Sequence, residues 1–266
     1  MGRFFLGNNI NFEVNYMFNK ILTALFLIFI ASTCAILFII ALTIWLVTLP
    51  FDKKKKILHL FTCAWGSLYI RVFPSWKVHI IDRGNFKNDK TYVVVSNHQS
   101  QLDILLAFNL FKHYKWVSKA AIFKLPFIGW NMYLNRYVRL VRGDKESIKE
   151  MFKVSEERLQ EGSSVYFFPE GTRSPDGKVK IFKPGAFAIA HKMKLPILPI
   201  AISGTSEALP KYTMKYIANG NFYLKVLEEI PYDAFSSLSV EETAEMVRKI
   251  ISDKVEELAK LKETKK

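Results

Sequence analysis

One histidine and one aspartate, His98 and Asp103, stand in a setting that suits acid–base chemistry. Residues 91–96 before them are typical of a buried strand, and residues 102–112 predict an apolar helix. Side chains in the first turn of a helix lean toward its N-terminus, so the Asp103 carboxylate can reach the His98 ring. A carboxylate on one ring nitrogen fixes the tautomer and leaves the other nitrogen free to take a proton. The pair is therefore a candidate general base with its orienting acid, and the positive helix N-terminus would keep the imidazole neutral.

The same residues have an ordinary structural interpretation. Ser100 and Asp103 form the pattern S-x-x-D, which is similar to a helix capping box. In that case the Asp103 carboxylate would only accept hydrogen bonds from main-chain N–H groups at the start of the helix. Both interpretations stay open on this pattern alone.

Three later stretches also place polar or charged residues at or just past the end of an apolar strand. In open α/β sheets, ligands bind at such strand ends. Glycine lets the main chain approach a ligand, and a guanidinium suits bidentate phosphate binding. A single exposed cation is usually solvated, but four such strand ends favour a binding site. The candidate substrate-binding residues are Lys119, Arg142, Glu170, Gly171, Thr172 and Arg173.

Short strands that alternate with helices position these residues. This alternation predicts an α/β domain over residues 75–238, with a mixed sheet flanked by helices. A second capping box, Ser239 with Glu242, opens a predicted C-terminal helix over residues 239–266. The predicted strands are 76–81, 91–96, 115–118, 137–141, 163–168, 197–203 and 222–227, and the predicted helices of the domain are 102–112, 144–161 and 184–192.

Residues 1–74 predict an N-terminal membrane-anchoring region. Residues 21–49 form a segment without charge. This segment is long enough to span a bilayer, with tilt, or to bend and re-enter it. Four lysines follow at 53–56, and the positive-inside rule then puts the next domain on the cytoplasmic side. Residues 53–73 predict an amphipathic helix on the membrane surface, with an ordinary core-facing helix as the alternative.

Composition indicates an anionic partner and contact with lipid. The chain carries 38 Lys and Arg against 24 Asp and Glu, half of its 266 residues are hydrophobic, and 22 are Phe. A basic surface attracts phospholipid headgroups, nucleic acid, phosphorylated metabolites or an acidic carrier protein. The two cysteines have no metal-ligand spacing and do not imply a disulfide framework.

The order of the motifs resembles a known family. Asn97-His98-x4-Asp103, followed about 65 residues later by Phe-Pro-Glu-Gly-Thr-Arg-Ser at 168–174, resembles the glycerolipid acyltransferases, and most closely the bacterial-type 1-acyl-glycerol-3-phosphate acyltransferases. Two further blocks match at 124–130 and 195–200. The chain departs from the family at Val141, where members often have Asp before the arginine.

The resemblance implies transfer of a fatty acyl group from acyl-ACP or acyl-CoA to the sn-2 hydroxyl of lysophosphatidic acid, which forms phosphatidic acid. His98 would be the general base and Asp103 would orient it. Arg173, with Lys119 and Arg142, would hold the phosphate of the acceptor. Glu170 would orient the arginines or the glycerol, and Gly171 would permit the close approach. Neither a metal nor a cofactor is expected, and the expected location is the cytoplasmic face of the inner membrane.

Other functions remain as alternatives. The acceptor could be another lysophospholipid, a lyso-ornithine lipid or glycerol-3-phosphate, because short motifs do not separate these. An inactive membrane lipid-binding scaffold is the alternative from a different class. A nucleic-acid binder is disfavoured by the membrane segment and the lack of a recognition motif, and a hydrolase by the lack of G-x-S-x-G.

Overall fold

A computed structural model of the 266-residue chain describes residues 28–208 and 220–263. Seven strands form one sheet in the order β1-β7-β6-β2-β5-β3-β4. Neighbouring strands are parallel except β6 and β7, which are antiparallel, so β1 and β7 run opposite to the other five. The strands are β1 Trp76–Ile81, β2 Val93–Ser96, β3 Tyr114–Lys119, β4 Val138–Leu140, β5 Ser164–Phe167, β6 Ile197–Ser203 and β7 Gly220–Val226.

Helices cover both faces of the sheet and precede it. They are α1 Ile28–Thr48, α2 Lys56–Arg71, α3 Leu102–Phe108, α4 Ile128–Leu134, α5 Lys145–Gln160, α6 Gly185–Met193, α7 Thr205–Ala208 and α8 Val240–Glu263. The predicted fold class, a mixed sheet flanked by helices after an apolar N-terminal helix, is confirmed. Residues 1–27 and 264–266 of the predicted terminal segments lie outside the described residues. The predicted division into three domains stays a prediction.

The central strands are buried on both sides, which explains their continuous apolar sequences. Every residue of β2, β5 and β6 is buried. Successive side chains of a strand point to opposite faces, and β2 shows this directly. Val94 packs in a core with α3 and the aromatic residues of β3, whereas Val93 and Val95 pack in a second core with α5, α6 and α8.

Most element bounds follow the sequence pattern, with two corrections. Helix α3 ends at Phe108 and does not continue to residue 112 as predicted, since Phe111 takes a positive φ of 49° and β3 begins at Tyr114. Helix α4 was not predicted at all. Its sequence places Gly129, Asn131 and Met132 on the buried side, so its polar and apolar residues do not separate by face.

Helices α1 and α2 form a hairpin that packs against the domain. The Asp52 carboxylate caps α2 by accepting the N–H groups of Lys56 and Ile57, each at 2.8 Å. The buried Lys115 ammonium donates to the carbonyl of Lys54 at 2.7 Å and to that of Asn135 at 2.8 Å, which ties the hairpin loop to β3 and α4. Helix α2 packs Cys63 and Ile70 into the core of the domain, and its predicted place on the membrane surface stays a prediction.

Helix α1 is 21 residues long in its described part and is long and apolar enough to cross a membrane. One side of it, with Cys34 and Ala41, packs against α2. The other side exposes large apolar residues, among them Ile36, Ile39 and Val47. This exposed stripe is not covered by any part of the chain that the structure describes.

Candidate active site

The loop after β2 is held in place from β6. The Asn97 side chain donates to the carbonyl of Ile202 at 2.9 Å and accepts from its N–H at 2.8 Å. His98 follows directly, and its Nδ1 lies 2.9 Å from Oδ2 of Asp103. Because a carboxylate only accepts here, Nδ1 carries the proton in the neutral ring and Nε2 is the free basic nitrogen. The His98 side chain keeps 11% of its surface exposed, while Asp103 is fully buried.

Asp103, in the first turn of α3, binds main-chain N–H groups before the helix and the His98 ring at the same time. Besides the His98 ring, its Oδ2 accepts the main-chain N–H groups of Gln99 at 2.6 Å and Ser100 at 2.8 Å. Its Oδ1 accepts from the hydroxyl of Thr205, which begins α7 after β6. The two interpretations of S-x-x-D are therefore compatible, and the cap fixes the carboxylate that orients the ring.

The loop after β5 packs against the His98 loop. The His98 ring stacks on Phe168 with 4.0 Å between ring centroids and 19° between planes. The His98 main chain donates to Oε1 of Glu170 at 2.7 Å, and its carbonyl accepts from the N–H of Ser174 at 2.8 Å. The histidine is thus fixed by its ring, its N–H and its carbonyl.

Glu170 is almost fully buried. Burial raises the pKa of its carboxyl to about 7, and hydrogen bonds from the N–H groups of His98 and Lys180 oppose that rise. In this arrangement the carboxyl joins two loops, and its predicted contact with substrate stays a prediction. The burial follows from the packing of the two loops, which the sequence pattern did not reveal.

A cavity of about 760 Å³ opens beside His98. Cations line part of it, and most of its lining is apolar, with residues of α2, α3 and β3 that include Trp65, Leu105 and Trp116. The far end reaches α1 at Ile30 and Cys34. Pockets of this size, mostly apolar with a few convergent polar groups, are typical of binding sites for small molecules.

The predicted binding residues fall into two groups. Lys119, Arg142 and Gly171 line the cavity with His98. Thr172 and Arg173 are half-buried in the adjoining loop and are not among the described residues of the cavity wall. Their binding roles, like those of the other predicted site residues, stay predictions.

Two residues outside the predicted set also belong to the site. Lys183 lines the cavity, and its Nζ would lie 3.1 Å from a Cβ at position 171, so Gly171 with its φ of 68° makes room for the lysine side chain. Thr205 holds Asp103 from behind. In the sequence, Lys183 could add a cation to the site but is more typical of a turn before α6, and the packing of the loop brings it beside Gly171. Within residues 28–208 and 220–263, no cluster of three or more His, Cys, Asp or Glu residues could hold a metal ion.

Comparison with known proteins agrees with this geometry. Residues 77–203 match the family model described as Acyltransferase. The chain is 40% identical over 175 residues to the chloroplastic 1-acyl-sn-glycerol-3-phosphate acyltransferase LPAT1 of Arabidopsis thaliana, which covers 65% of this chain and 49% of that protein. It is 30% identical over 154 residues to the 1-acyl-sn-glycerol-3-phosphate acyltransferase of Pseudomonas aeruginosa, covering 58% and 60% of the two chains. The chain spans about half the length of the plant relatives it matches.

A solved structure is also similar. The crystal structure of the 1-acyl-sn-glycerophosphate acyltransferase from Thermotoga maritima superimposes with a TM-score of 0.67 at 28% identity, covering 85% of this chain and 95% of that chain. The match of residues 77–203 to the acyltransferase model and the similarity to this solved structure agree with the motifs, which indicated an acyltransferase.

Proposed function

We propose that this protein is a membrane-bound 1-acylglycerol-3-phosphate acyltransferase. It would move a fatty acyl group from acyl-ACP or acyl-CoA to the sn-2 hydroxyl of lysophosphatidic acid and form phosphatidic acid for phospholipid biosynthesis. The observation that carries the proposal is the His98–Asp103 pair, 2.9 Å apart, with His98 lining an apolar cavity that cations also line. The relatives named above support the choice of acceptor.

In the proposed reaction, Nε2 of His98 takes the proton of the acceptor hydroxyl while its oxygen attacks the thioester carbonyl carbon. The imidazolium that forms is stabilised by the Asp103 carboxylate on Nδ1. Collapse of the tetrahedral intermediate breaks the carbon–sulfur bond, and the thiolate receives the proton from His98. No acyl group is attached to the protein in this sequence.

Three cations of the cavity support a phosphomonoester as the acceptor. Lys119 at the end of β3, Arg142 just after β4 and Lys183 just before α6 all line the cavity. A phosphomonoester carries up to two negative charges, and arginine and lysine are the side chains that bind phosphate in proteins. Arg173, two residues after Gly171, would add a fourth cation once the substrate is bound. The apolar interior then receives an acyl chain.

The membrane would supply the acceptor and retain the enzyme. Exposed apolar residues of α1 and the exposed Lys53, Lys54 and Lys56 would hold the cavity at the headgroup level of the cytoplasmic leaflet of the inner membrane. The excess of basic residues would attract an anionic membrane surface, and also an acidic carrier protein or the phosphates of coenzyme A.

The test is to incubate the purified full chain with a lysolipid panel and both types of acyl donor, and to identify products by mass spectrometry. We expect phosphatidic acid from lysophosphatidic acid, and a loss of about 10²–10⁴-fold in His98→Ala. The matched control is His79→Ala, since His79 stacks on Tyr223 in β7 and does not line the cavity. If a lysolipid without a phosphomonoester reacts faster than lysophosphatidic acid, the proposed acceptor is wrong. If no pair of acceptor and donor gives a product while the protein still binds lysolipid, the result indicates the inactive lipid-binding scaffold.

A further inference from the structure

A second exposed apolar surface lies on α4 and the residues just before it. We define the α4 surface as Leu125, Ile128, Trp130 and Tyr133, which are 48%, 37%, 47% and 54% exposed. The opposite side of the helix, with Gly129 and Met132, is buried in the domain. Four large apolar side chains grouped within nine residues are unusual on a surface that faces only water.

The main chain holds this surface in a fixed position. A Cβ at Gly129 would come within 2.2 Å of the main-chain oxygen of Phe123, so α4 packs directly on the preceding 3-10 turn. The N–H of Gly129 also donates to the carbonyl of Leu125 at 2.8 Å. The outward direction of Trp130 and Tyr133 is therefore built into the fold.

The α4 surface continues the exposed side of α1. The ring of Phe38 in α1 lies 5.4 Å from that of Trp130, edge to face, and 6.0 Å from that of Phe127. Lys124 is exposed at one border of the surface, and Lys53 is exposed at the end of the hairpin. Trp and Tyr bordered by lysine are the side chains that favour the boundary between lipid headgroups and acyl chains.

We propose that the α4 surface inserts into the headgroup boundary of an anionic bilayer beside α1 and forms a second membrane contact. This inference rests on the proposed membrane function. It has a consequence for substrate access, because Ile128, Asn131 and Met132 of the same helix line the cavity. The cavity wall would thus face lipid directly, and the acyl chain of the acceptor would stay near the bilayer while its phosphate reaches the cations.

The position of α4 can be read with a fluorescent probe. Tyr133→Cys carries a polarity-sensitive label, and Ala259→Cys, exposed on α8, carries the same label as control. The native Cys34 and Cys63 are buried and compete little for the reagent. On vesicles of phosphatidylcholine and phosphatidylglycerol, we expect the emission of the label at position 133 to shift to the blue and to be quenched by brominated lipid. We expect neither effect for the label at position 259.

Variants test the energetic contribution. Leu125→Glu and Trp130→Glu should each weaken partition into these vesicles about tenfold, equivalent to about 1.4 kcal/mol. Ile250→Glu, a matched exposed apolar residue on α8, should not. None of these residues lines the cavity, so turnover of a short-chain acceptor in detergent should be unchanged.

Each outcome is decisive. A label at 133 that stays in water while the wild-type chain binds vesicles would overturn the inference and leave the proposed function intact. A label already protected from aqueous iodide before vesicles are added would assign the surface to a second copy or to residues 1–27, and would also overturn it. A wild-type chain that does not bind vesicles would instead contradict the proposed membrane function itself.

Discussion

Replacing Asp103 by asparagine separates the charge of this side chain from its hydrogen bonds. The amide oxygen can take the position of Oδ2 and still accept from the His98 ring and from the N–H groups of Gln99 and Ser100. The amide nitrogen then faces the hydroxyl of Thr205, which can accept as well as donate. The helix cap survives the change, and the negative charge next to His98 is lost.

The size of the effect follows from the distance. Two unit charges at the 2.9 Å between Nδ1 and Oδ2 interact by about 6 kcal/mol at an effective dielectric constant of about 20. If about half of the positive charge has developed on the ring in the transition state, Asp103→Asn loses about 3 kcal/mol of stabilisation, or about 100-fold in kcat. The free energy of unfolding should fall by only about 1–2 kcal/mol, because the hydrogen bonds are replaced.

The assay is kcat at saturating lysophosphatidic acid, together with chemical denaturation of the same preparations. Asp103→Ala is the comparison, since it leaves four buried donors without their acceptor, and each such donor costs about 1–3 kcal/mol. A kcat of Asp103→Asn within threefold of the wild-type value, with reduced stability, would refute the reasoning. Asp103 would then be a helix cap only.

Three further predictions concern the surroundings of the pair. Burial raises the pKa of Glu170 from 4.5 to about 7, so the folded protein keeps a proton that the unfolded chain releases in this window. The free energy of unfolding therefore falls as pH rises from 4.5 to 7. In Glu170→Gln this decrease should be smaller by up to about 3 kcal/mol, and an unchanged pH profile would contradict the prediction. Lys183→Ala should raise KM for lysophosphatidic acid about tenfold but spare a lysolipid without a phosphomonoester, and equal losses on both would give Lys183 a structural role. Gly66→Ala would place a Cβ 2.3 Å from the Phe108 ring on the cavity wall, so we expect about 1–3 kcal/mol lower stability and a preference for shorter acyl donors, whereas Gly84→Ala, which meets no atom within 4 Å, should change neither.

Local sequence patterns were sufficient where the chemistry is local. The strand before His98, the first-turn position of Asp103 and the capping box of α8 all depend on residues within a few positions of one another. The structure has the predicted box, with the Ser239 and Glu242 side chains bonded to each other's main-chain N–H groups at 3.1 and 2.7 Å. Strands β1 and β6 likewise have the predicted bounds.

Contacts between distant segments were not predictable in this way. Thr205 reaches Asp103 from 102 positions along the chain, and it does so only because β6 lies next to β2 in the sheet. Lys183 comes beside Gly171 because its N–H bonds to the carbonyl of Pro169 at 2.9 Å and folds the long loop back. Helix α4 was missed because its buried Asn131 pairs with Thr62 of α2, a pairing that no periodicity within α4 could indicate.

The two buried carboxyls near His98, those of Asp103 and Glu170, have different roles, and their surroundings explain why. Asp103 receives four hydrogen bonds, one of them from the imidazole, so every acceptor site near the ring serves a donor. Glu170 accepts the main-chain N–H groups of His98 and Lys180, and its burial, together with the nearby charge of Asp103, raises the pKa of its carboxyl to about 7. A pKa near 7 leaves Glu170 partly protonated near neutral pH, and in either form its carboxyl joins the two loops that fix His98. This division matches the general rule that adjacent carboxyls in a site differ in environment when they differ in role.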